Sequence, residues 1–122
     1  MKPIRFSFLV LSALIVFTFC KKNEAGGKSS IHGQVKHHEK VIPFSRVFIK
    51  YNAEEFPGTD TLNYDDKVSA DAAGTFSFNL YKGVYYLYGL GYDSGVPGKV
   101  TGGLNCRLRH KEDRLLDIPV TE

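Results

Sequence analysis

The residues able to carry chemistry in this chain are few, and their spacing is loose. Asp93, Ser94 and His110 supply the residue types of a Ser–His–Asp triad. A nucleophilic serine is normally raised on a strand-to-helix elbow, however, and no GxSxG motif occurs. His37 and His38 adjoin Glu39; histidine is the commonest transition-metal ligand, but two together in a polar loop are ordinarily solvated. Cys106 and His110 fall on one face of a strand, where four residues at ~3.3 Å separate them by about 13 Å, too far to share an ion unless the strand bends sharply. Asp60, Asp65, Asp66 and Asp71 offer oxygen ligands for calcium without a calcium-loop pattern, which leaves them as turn acids. No zinc spacing, P-loop or dinucleotide fingerprint is present. The expectation is a protein without catalytic residues, metal or cofactor.

The other cysteine, Cys20, has a different setting. It ends the apolar run Phe6–Phe19, which follows Lys2 and Arg5. A helix over that run spans roughly 21 Å against a hydrocarbon core of ~30 Å, so an export signal is expected in preference to a transmembrane helix. The basic start, the apolar middle and the cysteine followed by Lys21 and Lys22 resemble a bacterial lipoprotein signal. Phe17, Thr18 and Phe19 stand where that family usually has leucine and two small residues. The resemblance implies a signal peptide over 1–19, lipidation of Cys20, and a lipid anchor in a membrane of the bacterial envelope, the outer membrane being the expected one. The alternative is an anchor left uncut or cut elsewhere, with Cys20 an incidental thiol. Acylation gains about 0.8 kcal/mol per buried methylene, and stable anchoring takes about two chains. Residues 21–30, KKNEAGGKSS, contain no large apolar side chain and read as a flexible tether. A lipidated Cys20 cannot enter a disulfide. Cys106 is then an unpaired thiol within the alternating run Val100, Gly102, Leu104, Cys106, Leu108, and reads as a small buried hydrophobe.

The elements that must position these groups follow from the rest of the chain. A length of 122 residues with 43% hydrophobic and 24% charged side chains fits one globular domain. Removing residues 1–19 takes away Lys2 and Arg5 and leaves 14 basic against 13 acidic residues, a formal charge of +1 in place of +3. So small a charge gives no electrostatic footprint for nucleic acid. Beyond Ile31 the apolar residues recur at every second position. Ile31, Gly33 and Val35 form one set, Val47, Ile49 and Tyr51 a second, and Phe76, Phe78 and Leu80 a third. Leu116, Ile118 and Val120 form a fourth, in which Pro119 confines the strand to an edge or to its own end. Turn signals at 71–74, 81–83 and 93–98 separate these short strands. The predicted fold is all-β over 31–122, a single seven-stranded sandwich after the N-terminal signal helix, with no further helix required.

The order IHGQV, PFSRVFIKY, ADAAGTFSFNL, YKGVYYLYGLGYD resembles the carboxypeptidase regulatory-like, or prealbumin-like, β-sandwich family. The matching positions are the turn Asp71 to Gly74, the strand with Phe76 and Phe78, and Gly83, Tyr85 and Leu87. The likeness covers about ninety residues. It implies a fold and leaves the activity open. Hydroxyisourate hydrolases share the prealbumin-like fold but end in Tyr-Arg-Gly-Ser, whereas this chain ends DIPVTE. Independently of any family, Asp71 can accept backbone N–H groups across its turn and Gly74 can take positive φ. Tyr85 can bury its ring while its hydroxyl finds a backbone partner.

Tyr86, Tyr88 and Tyr92 are the candidate binding residues. With Tyr85 and Leu87 directed inward, the alternation sends these tyrosines to the outer face, where rigid rings bearing hydroxyls suit a sugar or a protein. The competing expectation is that they pack beneath the loop from Asn52 to Tyr64 or in cross-strand pairs. The function expected is that of a non-enzymatic, membrane-anchored envelope lipoprotein acting as a structural or protein-interaction module. The alternative is a carbohydrate- or peptide-binding module using an exposed tyrosine face. Membrane lipid at Cys20 and an envelope protein or glycan are the expected partners.

Overall fold

The computed structural model describes residues 23–122, and these form an all-β, sandwich-like structure of two sheets. Nine strands follow one another: β1 (Ala25–His37), β2 (Lys40–Val41), β3 (Arg46–Tyr51), β4 (Asp66–Ser69), β5 (Thr75–Leu80), β6 (Gly83–Asp93), β7 (Gly98–Leu108), β8 (Asp113–Leu115) and β9 (Ile118–Pro119). The count exceeds the seven expected by the two-residue strands β2 and β9, too short to register as hydrophobic alternation. The single helical element among the described residues is one 3-10 turn at Thr61–Asn63, capped by the Asp60 carboxylate.

In the first sheet β1 is central. Ser30–His32 pair antiparallel with β5 and parallel with β8, which sets those two strands on opposite edges of β1. The second sheet has the order β4-β3-β6-β7, antiparallel throughout. The alternation expected for β5 is seen without exception: Phe76, Phe78 and Leu80 are buried and Thr75, Ser77 and Asn79 exposed. Ile31, Val35, Val47, Ile49, Tyr85, Leu87 and Val100 join them between the sheets, all at zero exposure. The last strand is split. β8 and β9 are separated at Leu116 and Asp117, and Pro119 stands at the end of β9, where its missing N–H removes no ladder bond further along. After it the chain crosses between layers: the Val120 N–H donates to the Lys36 carbonyl of the first sheet, while Thr121 pairs with Thr101 of the second.

The boundary expected at Ile31 moves toward the N-terminus. The polar segment expected as a tether over 21–30 is strand from Ala25 onward, with Ser29 buried and its hydroxyl donating to the Arg109 carbonyl. Backbone pairing with β5, Ser29 opposite Leu80 and Ser30 opposite Asn79, supplies the order that side-chain hydrophobicity could not signal. Among the glycines required sterically, two shape the turn and the crossing. Gly74 closes the Asp71 turn at φ 73°, where Asp71 accepts from the N–H groups of Ala73 and Thr75. A Cβ at Gly33 would overlap the Leu116 carbonyl oxygen, so the close passage of the C-terminal chain over β1 between β8 and β9 requires glycine at that position.

Candidate functional site

Two clusters bring polar or aromatic groups together, and both are set by strand parity. The first lies where β1 and β6 end. The inward-facing series Ile31, Gly33, Val35 continues to His37, and the series Tyr85, Leu87 continues through Gly89 and Gly91 to Asp93. Both polar residues are 4% exposed. His37 Nδ1 lies 2.8 Å from Asp93 Oδ2, while Asp93 Oδ1 accepts from Lys40 Nζ at 2.7 Å and from the Gly95 N–H at 2.8 Å. The hydrogen bonds from His37, then Lys40 and Gly95, hold the Asp93 carboxyl well below the usual carboxylate range and outweigh its desolvation. His37 Nε2 is buried with no hydrogen-bond partner among the described residues, and faces Glu122 Oε2 at 3.6 Å.

This corrects the expectation that His37 is solvated; the continuing alternation of β1 was the signal for its burial. His38 does remain exposed, its ring 4.4 Å from that of His37. A buried histidine beside a carboxylate with shifted ionisation is the arrangement of a catalytic dyad. Here no hydroxyl or thiol hydrogen-bonds to either ring nitrogen among the described residues, Ser94 and His110 are exposed, and Asp93 is engaged by His37 and Lys40. The cluster joins β1, β2, the end of β6 and the turn after it.

The second cluster is the outer face of the second sheet. Tyr85 and Leu87 are fully buried inward, as expected, and the Tyr85 hydroxyl donates to the Tyr81 carbonyl at 2.6 Å. The three candidate tyrosines do not share one environment. Tyr88 is 4% exposed, stacked on Tyr64 at 5.6 Å and flanked by Phe48 and Phe56. Tyr86 is half-buried against Phe56. The segment from 52 to 65 covers both. It is fastened by the Tyr64 hydroxyl to the Gly58 carbonyl, by the Asp65 carboxylate to the Tyr51 N–H, and by the Asn105 amide to the Glu54 carbonyl. Burial, with smaller contributions from Tyr86 and Tyr88, pushes the Tyr64 hydroxyl up to about 12. Tyr92 alone of the three is bare, at 61% exposure. A continuous tyrosine face is thereby excluded, because Tyr88 has become part of a satellite aromatic core.

At the Tyr92 end the register sets Arg46 opposite Leu90 and Lys99 opposite Tyr92. These residues and Phe44 line a depression of about 310 Å³. Phe44 is 68% exposed, follows Pro43 in the turn before β3, and has φ 57°. Sequence reasoning missed Phe44. The Pro-Phe pair gives no sign of it, since positive φ after a turn proline ordinarily falls on glycine or asparagine.

The remaining candidates take structural places. Cys106 is a buried free thiol, and burial pushes its ionisation up. Asp60, Asp65 and Asp71 accept backbone N–H groups in their turns, and Asp66 accepts that of Lys67. Among the described residues no group of three or more ligating side chains could hold a metal ion, and no helix is long and apolar enough to cross a membrane. Cys20 and the signal segment lie outside the described residues. No known family model matches this chain, and no curated protein matches it in sequence.

Proposed function

We propose that the protein is a non-enzymatic lipoprotein of a bacterial envelope, anchored through Cys20, whose prealbumin-like, carboxypeptidase regulatory-like sandwich works as a protein-interaction module. The observation that carries the interaction reading is the division of the outer face. Tyr88 and much of Tyr86 are covered by the 52–65 segment, which exposes Phe56 and Leu62 of its own, while Tyr92 and Phe44 stand exposed together at one end on a hydrogen-bonded frame. Large rings exposed together at a fixed turn are more costly in water than scattered single ones, and they suit contact with a partner. The use of His37 and Asp93 as a clamp supports a role without bond chemistry. Anchoring rests on the sequence alone: the apolar run ending at Cys20 and the lysines that follow it.

Two measurements on the full chain in cells test this. Mass spectrometry of the mature N-terminus is expected to find a diacylglyceryl-modified Cys20, and Cys20→Ala to release the protein from membranes; an unmodified terminus cut elsewhere would reject the anchor. A photo-crosslinking amino acid at position 92 is expected to give a discrete adduct that the same group at Ser77, on the exposed face of β5, does not. Equal labelling from both positions would reject the interaction face.

A further inference from the structure

We propose that the bare end of the outer face binds an acidic protein segment, with an apolar side chain seated between Phe44 and Tyr92 and flanking carboxylates on Arg46 and Lys99. This names the partner chemistry of the face described above and rests on that reading.

Backbone geometry gives the first argument. A phenylalanine in the left-handed region is disfavoured relative to its extended or helical conformations, because its Cβ crowds the following carbonyl oxygen. The turn is nevertheless held there, with the Phe44 N–H donating to the Asp71 carbonyl at 3.0 Å and the Ser45 hydroxyl closing onto the Ile42 carbonyl at 3.0 Å. Glycine would satisfy this frame without strain. The ring that glycine would lack is 68% exposed and packs into no core, so its return is sought outside the chain.

Charge gives the second. Arg46 and Lys99 are exposed and have no carboxylate partner among the described residues; other cations, Lys67, Lys82 and Lys111 among them, are also unpaired, but these two flank the exposed Phe44 and Tyr92 rings in one depression. β3 and β7 lie on either side of β6, and Arg46 faces Leu90 while Lys99 faces Tyr92, so the two cations straddle these residues diagonally with their Cα atoms about 12 Å apart. Their side chains are long enough to reach carboxylates on both sides of a residue resting on the rings.

The lining chooses between a protein and a glycan. The depression holds Phe44, Leu90, Gly91 and Tyr92 between the two cations. An adjoining hollow of about 370 Å³ shares Phe44 and Tyr92 and is walled by Ile42 and Pro43 on one side and by Lys40, Asp93 and Ser94 on the other. No side-chain amide or carboxylate projects there to order sugar hydroxyls, apart from Asp93, which is engaged by His37 and Lys40. An apolar floor bracketed by positive charge fits a hydrophobic residue within an acidic stretch.

The test immobilises the full chain in detergent micelles and pans phage-displayed random heptapeptides at low and high salt. The expected outcome is enrichment of sequences in which Asp or Glu flank a large apolar residue, falling at high salt. Roughly tenfold loss of that enrichment is expected for Phe44→Gly and for Arg46→Glu, with none for Lys82→Glu, an exposed charge reversal elsewhere. Arg46→Glu changes only an exposed side chain and guards against a folding effect at the turn. Enrichment of basic sequences, of none, or of acidic ones indifferent to both variants would overturn the proposal, as would displacement of the phage by an acidic oligosaccharide such as oligogalacturonate. If the acidic preference fails while the cross-link at position 92 persists, the face stands and the partner chemistry is wrong. Loss of both removes the face itself.

Discussion

Phe44 carries more of the functional argument than any other residue, because its backbone and its side chain pull in opposite directions. Relieving the positive φ with Phe44→Gly removes the left-handed penalty and gives back part of it as unfolded-chain entropy. The net expectation is a gain of roughly 0.5–1 kcal/mol, read as a higher midpoint in urea unfolding. A loss of stability would mean that the ring packs against the fold. Cys106 gives a contrasting case, in which the side chain's reactivity is suppressed by its setting. The thiol is 3% exposed and its ionisation is pushed up by burial, so a thiol reagent such as Ellman's is expected to react only as fast as the domain unfolds. Rapid modification of the native protein would place Cys106 at the surface and break the inward series of β7.

At the scale of elements, the ends of β1 and β6 depend on a buried ionic clamp. Asp93 is held below the ordinary carboxylate range when folded, so the unfolded chain takes up the proton first as pH falls. The clamp's contribution is therefore complete above about pH 5. It is lost as pH drops through the unfolded carboxylate value near ~4 toward the lower folded one. Asp93→Asn is expected to lower the melting temperature by several degrees at neutral pH, with the gap to the parent protein closing in acid; a constant gap would reject the ionic account. The same region marks how far the sequence could be read. Alternation identified β5 and the cores of β3 and β6 because their inward residues are apolar. His37 and Asp93 obey the same parity, but polar residues at inward positions resemble loop residues until their partner is known, and that partner is 56 positions away. Residues 25–30 were illegible for a related reason: their order comes from backbone bonds to β5, which leave no trace in side-chain type. Tyr88 was legible only as an alternative, since parity sends it outward and the covering segment decides the rest.

For the described residues as a whole, the two sheets, the crossing C-terminal segment and the covered Tyr86 and Tyr88 make one frame, at one end of which the exposed Phe44 and Tyr92 stand together with the unpaired Arg46 and Lys99. Burial raises Tyr64 to about 12 and raises Tyr85 as well. Such groups stabilise the fold fully below the unfolded tyrosine value near ~10, and lose that effect as pH rises through their folded values. Unfolding is accordingly expected to begin above about pH 10, with tyrosinate absorbance rising together with loss of β-sheet dichroism; phenolate formation well ahead of unfolding would contradict the burial. The central claim is that this frame exists to present its bare end to a partner, and the most direct test separates stability from capture in one protein. With the photo-crosslinker at position 92 of the Cys20-bearing chain in cells, Phe44→Gly is expected to raise the melting temperature and abolish the adduct. An adduct undiminished in a Phe44→Gly protein that folds normally would contradict it.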